Sequence, residues 1–212
     1  MSDPINKTPR PATATRRELE KQQRRAAILA AAERVFALHG FHGASIDRIA
    51  EEAQYAVGTI YLYFKDKDAL YSALFTSKLG EMVDMVEQAT ASVSDPIEGL
   101  HNAIRAQFDF NERNREFFEL IHHHRPADQE AQQEEWNAVH ETIARHHQIL
   151  IRLIERGQRK KLLRPGNSQT YALALVGSII HLSHEMELDG TRSSNPADFV
   201  FDLFIQGAQR PA

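Results

Sequence analysis

Apolar residues recur at intervals of three and four along most of the chain, with polar residues at the positions between them. This is the spacing of an amphipathic α-helix, which turns once every 3.6 residues. Pro, Gly and short polar stretches separate the periodic segments, and no segment alternates as a β-strand does. We therefore expect an all-α protein of about nine helices.

Most of the predicted helix boundaries are marked by residues with known capping preferences. Gly40 suits the residue that follows a first helix ending near His39. Asp66 suits the N-cap of a long helix from Lys67 to about Thr90. The other predicted helices are one that begins at Pro96 and is broken by the polar residues 111–114, a short one ending before Pro126, one from about Asp128 to Lys161, one over about 168–188, and one beginning at Pro196.

Residues 45–64 contain two short periodic segments separated by a break of about three residues. Ser45 is a suitable N-cap for the first segment. Ile60 and Phe64, four residues apart, mark the buried side of the second. Two short helices joined by a tight turn predict a helix-turn-helix, whose second helix enters the major groove of DNA. The apolar face of its first helix consists of Ile46, Ile49, Ala50 and Ala53.

These residues resemble the DNA-binding domain of the TetR family of bacterial transcriptional regulators. The resemblance rests on S-I-D-R-I-A-E-E-A at 45–53 and G-T-I-Y-L-Y-F-K-D-K-D-A-L at 58–70, and it extends over about 22–75. The family usually has Gly-Val-Ser in the turn, where this chain has Gln54, Tyr55 and Ala56. A positive φ at Gln54 would carry a cost that Gly avoids, and Ala56 offers no side-chain cap.

The resemblance implies a symmetric homodimer that binds a pseudo-palindromic double-stranded DNA operator, usually as a repressor, and is released by a small-molecule effector. The implied organisation is a disordered basic arm over 1–21, a helix-turn-helix DNA-binding domain over 22–67, and a helical regulatory and dimerisation domain over 68–212. The charges agree with this division. Residues 1–67 contain 11 Lys or Arg and 8 Asp or Glu, a balance of +3, whereas the remainder contains 14 and 21, a balance of −7.

Candidate DNA contacts come from the helix-turn-helix and the residues that follow it. We expect the hydroxyls of the two tyrosines and the charges of the two lysines to reach phosphates. The predicted set is Ser45, Arg48, Val57, Gly58, Thr59, Tyr61, Tyr63, Lys65 and Lys67. A basic cluster at the end of the arm would touch phosphates or the minor groove, or would simply be a solvated helix start. Its members are Arg16, Arg17, Lys21, Arg24 and Arg25.

Base reading should be unusual, because residues 57–64 include no Arg, Lys, Asn or Gln. Val57 can make only apolar contact, and the thymine methyl is the one apolar group on a major-groove base edge. Gly58 allows a close approach, and Thr59 offers a hydroxyl and a methyl. We therefore expect A·T-rich half-sites where this helix docks, with any required G·C pair read by Arg48 or by the basic cluster.

The later helices supply candidates for an effector pocket and for a dimer interface. The pocket candidates are aromatic, apolar or titratable residues whose faces could converge, unless they simply form the core. They are Phe108, Phe117, Phe118, His122, Trp136, His140, Ile143 and His147. The last two predicted helices are apolar on more than one side, which indicates a partner surface. Its predicted members are Leu175, Ile179, Leu182, Phe201 and Phe204.

Other classes of function lack support in the sequence. There is no cysteine, which excludes disulfides, thiolate chemistry and Cys-type zinc sites. No run approaches 18 apolar residues, and the N-terminus lacks the apolar segment of a signal peptide, so we expect a cytoplasmic protein with no membrane partner. No catalytic or nucleotide-binding motif occurs. We expect neither an enzyme nor a cofactor.

The histidines keep one alternative open, namely a metal-dependent binding protein or enzyme that carries a helix-turn-helix. His181 and Glu185 are four residues apart, a spacing that can place two ligands on one ion. The adjacent residues 122–124 point in divergent directions on a helix, however, and no H-E-x-x-H occurs. We therefore expect no metal site. A third reading is a DNA-binding protein without an effector, in which the body core would be filled.

Overall fold

The computed structural model describes residues 16–118, 133–188 and 195–208, with the side chains of 133–136 and 184–188 outside the description. Its helices are α1 (Arg16–Gly43), α2 (Ile46–Glu52), α3 (Val57–Tyr61), α4 (Lys67–Thr90), α5 (Pro96–Arg113), α6 (Gln133–Arg159), α7 (Ser168–Leu188) and α8 (Pro196–Ala208). Residues 115–118 form one further helical turn. These ranges contain no strand, so the predicted all-α fold is confirmed. None of the described helices is long and apolar enough to cross a membrane.

Side-chain caps fix the starts of α2 and α4 where the sequence predicts them. The Ser45 hydroxyl accepts a hydrogen bond from the backbone N–H of Arg48 at 3.3 Å. The Asp66 carboxylate accepts one from the backbone N–H of Ala69 at 2.7 Å. Each bond satisfies one of the N–H groups that a helix start leaves without an intrahelical partner.

Gly40 and Pro96 mark two further boundaries as predicted. Gly40 interrupts α1 with φ 66° and ψ 172°, a conformation that residues with a Cβ rarely adopt. Pro96 begins α5 after Asp95, whose carboxylate accepts from the Ile97 N–H. Asp128, the predicted cap of the longest body helix, lies outside the described residues.

The head of the molecule is a small core shared by α1, α2, α3 and the first turns of α4. The Phe36 ring stacks on Phe41 and meets Tyr71 edge-on, with centroids 5.8 and 5.5 Å apart. Leu70 and Leu74 of α4 are buried in the same cluster. The domain boundary predicted after residue 67 therefore falls at the start of α4, a helix whose first turns are part of the head core.

Contacts around Lys78 connect the head to the rest of the chain, which we call the body. The Lys78 ammonium of α4 lies 2.8 Å from the Glu33 carboxylate of α1 and donates to the Asn114 amide oxygen at 3.0 Å. Phe117, in the helical turn after α5, is buried in the head core and lies 5.9 Å from Phe75 between ring centroids. The head therefore receives a residue from well beyond the helix-turn-helix.

The body consists of α5–α8 and the remainder of α4, which packs against α5 and α6. Its interior contains two apolar clusters, one around Leu100 and Ile154 and the other around Val83 and Phe110. At Gly99 the helices come very close, because an added Cβ would lie 2.7 Å from a methyl carbon of the Leu153 side chain. Tight packing of this kind fixes the relative positions of α5 and α6.

Candidate nucleic-acid interface

The turn between α2 and α3 is tight although it contains no glycine. Gln54 has φ 58°, the left-handed conformation considered above, which costs a residue with a Cβ about 1–2 kcal/mol. The Tyr55 N–H donates to the Ala50 carbonyl at 2.9 Å and closes the turn. Ala56 precedes α3 and provides no side-chain cap, as predicted. The short helix α3 is therefore held chiefly by its apolar side, where Ile60 is fully buried.

α3 and the turn that continues it present one exposed side and one buried side. Ile60 and Phe64 are buried in the head core. Gly58, Tyr61, Leu62 and Lys65 are exposed, at positions three, four and seven residues after the first of them. We refer to these four residues as the α3 face. Gly58 and Tyr61 belong to α3 itself, whereas Leu62 and Lys65 lie in the turn and bend that follow it.

The membership of the α3 face differs from the prediction. Val57 and Tyr63 were expected on the exposed side, but both are partly buried against the head core. Thr59 is also only partly exposed. Leu62, which is absent from the predicted set, is 81% exposed. Leu62 lies four residues after Gly58, and this spacing could have indicated that it is exposed on the same side. Its apolar character made an exposed position hard to foresee.

Lys67 is engaged inside the head. Its ammonium donates to the carbonyl oxygens of Phe41 at 2.7 Å and Ala44 at 3.0 Å, and lies 4.4 Å from the centroid of the Phe41 ring. Two of its three N–H donors are thus used within the chain. This corrects the expectation of a side chain extended toward phosphates. Lys65 is exposed.

Ser45 and Arg48 are the two predicted DNA contacts at the first helix of the motif, and Arg48 is the more accessible to DNA. The Ser45 hydroxyl is committed to its capping bond. The Arg48 guanidinium is on an exposed surface, where its Nη1 lies 3.1 Å from His39 Nε2. A planar guanidinium has five N–H donors, so this contact leaves others for a base edge or a phosphate.

The basic cluster lies on α1, beside the end of the helix-turn-helix. Residues 16–21, predicted to end a disordered arm, are instead the first turns of α1, whereas 1–15 lie outside the described residues. The Arg25 guanidinium lies 5.3 Å above the Phe64 ring. An open hollow is lined by Arg17, Lys21, Arg24 and Tyr63, together with Glu18 and Glu20. Cations of α1 therefore lie close to Tyr63 and Phe64, the last residues of the helix-turn-helix.

This arrangement is suited to nucleic acid. The α3 face has no acidic residue, Arg48 on α2 is exposed, and cations of α1 lie near Tyr63 and Phe64. Cations attract phosphates without regard to sequence, whereas side chains on an exposed helix can reach base edges in a groove. A short helix held at a tight turn, with its outer side free, has the geometry of a groove-reading helix.

Comparison with known proteins agrees with this geometry. Residues 28–74, which span the head core, match the family model for bacterial regulatory proteins of the tetR family. These residues belong to the TetR family of DNA-binding domains. Among curated relatives, the HTH-type transcriptional activator FasR of Mycolicibacterium smegmatis is 35% identical over 114 residues, which cover 53% of this chain and 52% of FasR. The fatty acid metabolism regulator protein of Bacillus subtilis is 38% identical over 69 residues, 32% of this chain and 36% of that protein. The chain thus spans about half, or less, of the length of these relatives.

The TetR-type fold extends through the body. The solved structure of FadR from Bacillus subtilis in complex with stearoyl-CoA has a TM-score of 0.75 to this chain. The similarity covers 87% of this chain and 99% of that one, at 22% sequence identity. At this identity the comparison shows a shared fold.

The pocket residues predicted for the body are not gathered into one site. Phe117 belongs to the head core, and Phe108 is buried in the larger body cluster. His140 is exposed. Phe118, Ile143 and His147 are partly buried. His122, and the side chain of Trp136, lie outside the described residues.

Two buried polar atoms in the body lack a partner among the described residues. His146 is 3% exposed and its Nε2 accepts or donates no hydrogen bond; the Oδ1 of buried Asn111 accepts none. The Asn111 amide nitrogen donates to Ser183 Oγ at 3.0 Å. Burial lowers the pKa of His146 to about 4, with a smaller contribution from the charge of His147, and burial also lowers the pKa of His147. Within the described ranges, no three His, Asp or Glu side chains group as metal ligands.

The exposed apolar residues of α7 and α8 differ from the predicted dimer set. Leu175 and Ile179 are 1% and 0% exposed, because they form part of the core of their own chain. The prediction that they contact a second copy is therefore wrong. Leu182, Phe201 and Phe204 pack partly against the same core. The exposed apolar side chains are instead Leu173, Ile180, Phe199 and Leu203.

Proposed function

We propose that this TetR-family protein is a sequence-specific transcriptional regulator that binds a double-stranded DNA operator in the bacterial cytoplasm, as a repressor released by an effector. The observation that carries the proposal is the α3 face, an exposed helix side on a fixed helix-turn-helix with cations around it. Selection of binding sites from random DNA tests the first part directly. Failure of the full-length protein to enrich any site would contradict it.

Lys65 provides a sharper test of how DNA is bound. It is an exposed member of the α3 face, so Lys65→Ala should remove about one phosphate contact and flatten the slope of log affinity against log salt by about one unit. Lys160→Ala, which removes an exposed cation of the body, is the matched control and should leave the slope unchanged. Equal slopes for the wild type and Lys65→Ala would refute this contact.

We also propose that a second copy of the chain covers the exposed apolar side of α7 and α8. Support comes from Leu173 and Ile180 on α7 and from Phe199 and Leu203 on α8, which together would leave a large apolar patch in water. Two copies related by a two-fold axis would bind a pseudo-palindromic operator. Leu203→Glu should shift sedimentation from dimer to monomer, while Leu38→Glu, at a more exposed position in the head, should not. A wild type that is monomeric at micromolar concentration would contradict the dimer.

For the effector we propose an amphiphile with a long acyl chain, of the acyl-CoA class. FadR, which shares the fold, has been solved with stearoyl-CoA, and the body of this chain offers apolar clusters with unpartnered buried polar atoms. Stearoyl-CoA should weaken binding to a selected site, whereas CoA alone should not. An effector acts only through its different affinities for the two states of the protein, so the same compound must bind the DNA-free form more tightly.

The connection between effector and DNA would run through α4. This helix of 24 residues spans about 36 Å, at a rise of about 1.5 Å per residue, and contributes to both head and body. Lys78 bridges α1 and the end of α5 at its middle. Lys78→Met should therefore change the response to stearoyl-CoA more than the affinity for DNA in its absence.

The competing function is a metal-dependent protein or enzyme that carries this head. It predicts stoichiometric metal in protein purified without a histidine tag. Elemental analysis of such a preparation separates the two proposals, since a transcriptional regulator of the kind proposed here requires no metal for DNA binding.

A further inference from the structure

Leu62 occupies the middle of the α3 face. It follows Tyr61, which is 53% exposed, and precedes Lys65 by three residues, while its own exposure of 81% exceeds that of any other large apolar side chain in the described residues. A leucine in this position leaves most of its apolar surface in water, which is unfavourable unless a partner covers it.

The backbone of the segment holds Leu62 in this orientation. The Leu62 N–H donates to the Thr59 carbonyl at 3.2 Å, and the Phe64 N–H donates to the Ile60 carbonyl at 3.0 Å. Ile60 and Phe64 are anchored in the head core on either side of Leu62 in the sequence. Turning Leu62 inward would require removing these two buried side chains from the core.

We propose that Leu62 is a specificity-determining residue that reads thymine through its 5-methyl group. The inference rests on the proposed DNA-binding function and names a base contact for it. The thymine methyl is the one apolar group that a major-groove base edge offers, and leucine can form no hydrogen bond to other edges or to phosphate. Val57, for which the sequence predicts this role, is partly buried against the head core.

The surroundings of Leu62 favour a base rather than an apolar protein partner. Lys65 on the same face and Arg48 on α2 are exposed cations, and cations attract the phosphates of a duplex. Gly58, one helical turn before Leu62, has open space where a Cβ would be. The backbone can therefore approach the base edges closely enough for a side chain as short as leucine to touch them.

Exposure alone does not distinguish Leu62, since Leu38 on α1 is 77% exposed. Single exposed leucines are common on protein surfaces. The difference lies in position, because Leu38 is outside α2 and α3. It therefore serves as the matched control for loss of an exposed leucine from the head.

The test uses the full-length protein and sites that it selects from random DNA. Each thymine in one half-site is replaced singly by uracil, which lacks the 5-methyl group, and affinities are measured for the wild type, Leu62→Ala, Leu38→Ala and Val57→Ala. We expect uracil at one or two positions to weaken wild-type binding about fourfold, the effect of one apolar carbon removed from contact. Leu62→Ala should lose this sensitivity, and Leu38→Ala should retain it.

The possible failures can be told apart. If the wild type enriches a site but Leu62→Ala keeps the full uracil effect at every position, the assignment of Leu62 is overturned and DNA binding stands. If only Val57→Ala abolishes the effect, the reader is Val57. If the wild type enriches no site, both this inference and the proposed function are overturned. Thermal melting of Leu62→Ala should match the wild type, because the side chain contributes little to the core.

Discussion

Acid should destabilise this protein through the buried imidazole of His146. The folded state holds the pKa of His146 at about 4, chiefly because burial penalises the charged form. In the unfolded chain the pKa of His146 returns to about 6.5. Between that pH and about 4, the unfolded state therefore binds a proton that the folded state does not. The stability contributed by neutral His146 is therefore complete above pH 6.5 and is lost as the pH falls toward 4.

The size of the effect follows from the difference between the two pKa values. Each unit corresponds to about 1.4 kcal/mol, so the complete loss is about 3 kcal/mol and the loss by pH 5 is about 2 kcal/mol. A domain of ordinary stability has only about 5–15 kcal/mol in total. Protonation of His146 alone should therefore move the unfolding midpoint measurably.

His146→Leu isolates this contribution, because leucine fills a similar volume and does not titrate. At pH 7.5 the variant should be as stable as the wild type or more so, since it also removes a buried nitrogen that has no described partner. Urea unfolding from pH 7.5 to 5, at one protein concentration, should show the variant gaining about 2 kcal/mol relative to the wild type. His140→Gln, at an exposed position of the same helix, should follow the wild type. If the free energies of unfolding of the wild type and His146→Leu change equally between pH 7.5 and 5, His146 is not buried as a neutral group.

Three further substitutions test other features of the fold. Gln54→Gly should stabilise the protein by up to about 1 kcal/mol in urea unfolding, because relief of the left-handed strain exceeds the added freedom of the unfolded chain; no gain would argue against strain in the turn. Lys67→Met should cost about 2 kcal/mol in urea unfolding, because two charged hydrogen bonds to carbonyls are lost; an unchanged free energy of unfolding would refute this contribution. Gly99→Ala should lower the melting temperature by several degrees through a cost of about 1–3 kcal/mol, since its Cβ would collide with Leu153, and an unchanged melting temperature would show that α5 and α6 can move apart freely.

The parts of the fold that depend on neighbouring residues were predictable from the sequence. Ser45, Asp66 and Gly40 act on their own helix ends, so capping preferences place the boundaries correctly. The buried side of the helix-turn-helix was equally accessible, because Ile60 and Phe64 are spaced for one side of a helix. The positive φ of Gln54 was raised by the resemblance, since the TetR family usually has Gly at the start of this turn.

The parts that depend on distant residues were not predictable in this way. α7 is apolar on several sides, so periodicity cannot show which side meets its own chain; the structure buries Leu175 and Ile179 and exposes Leu173 and Ile180. The destination of Lys67 is set by two carbonyl oxygens more than 20 residues earlier in the chain. For the same reason the pocket residues chosen by residue type did not foresee that Phe117 would lie in the head core and Phe108 in a body cluster.

The position of Phe117 limits how this regulator could be recombined with others. Because this residue lies after α5 and yet completes the core of the head, a fragment that ends at residue 67 would lack part of its own interior. Chimeras that join this head to a foreign body should therefore keep α4 and supply an aromatic ring at the position of Phe117. The practical unit of exchange is discontinuous in the sequence, and a hybrid cut at the end of the helix-turn-helix would carry the right contacts to DNA on an incomplete core.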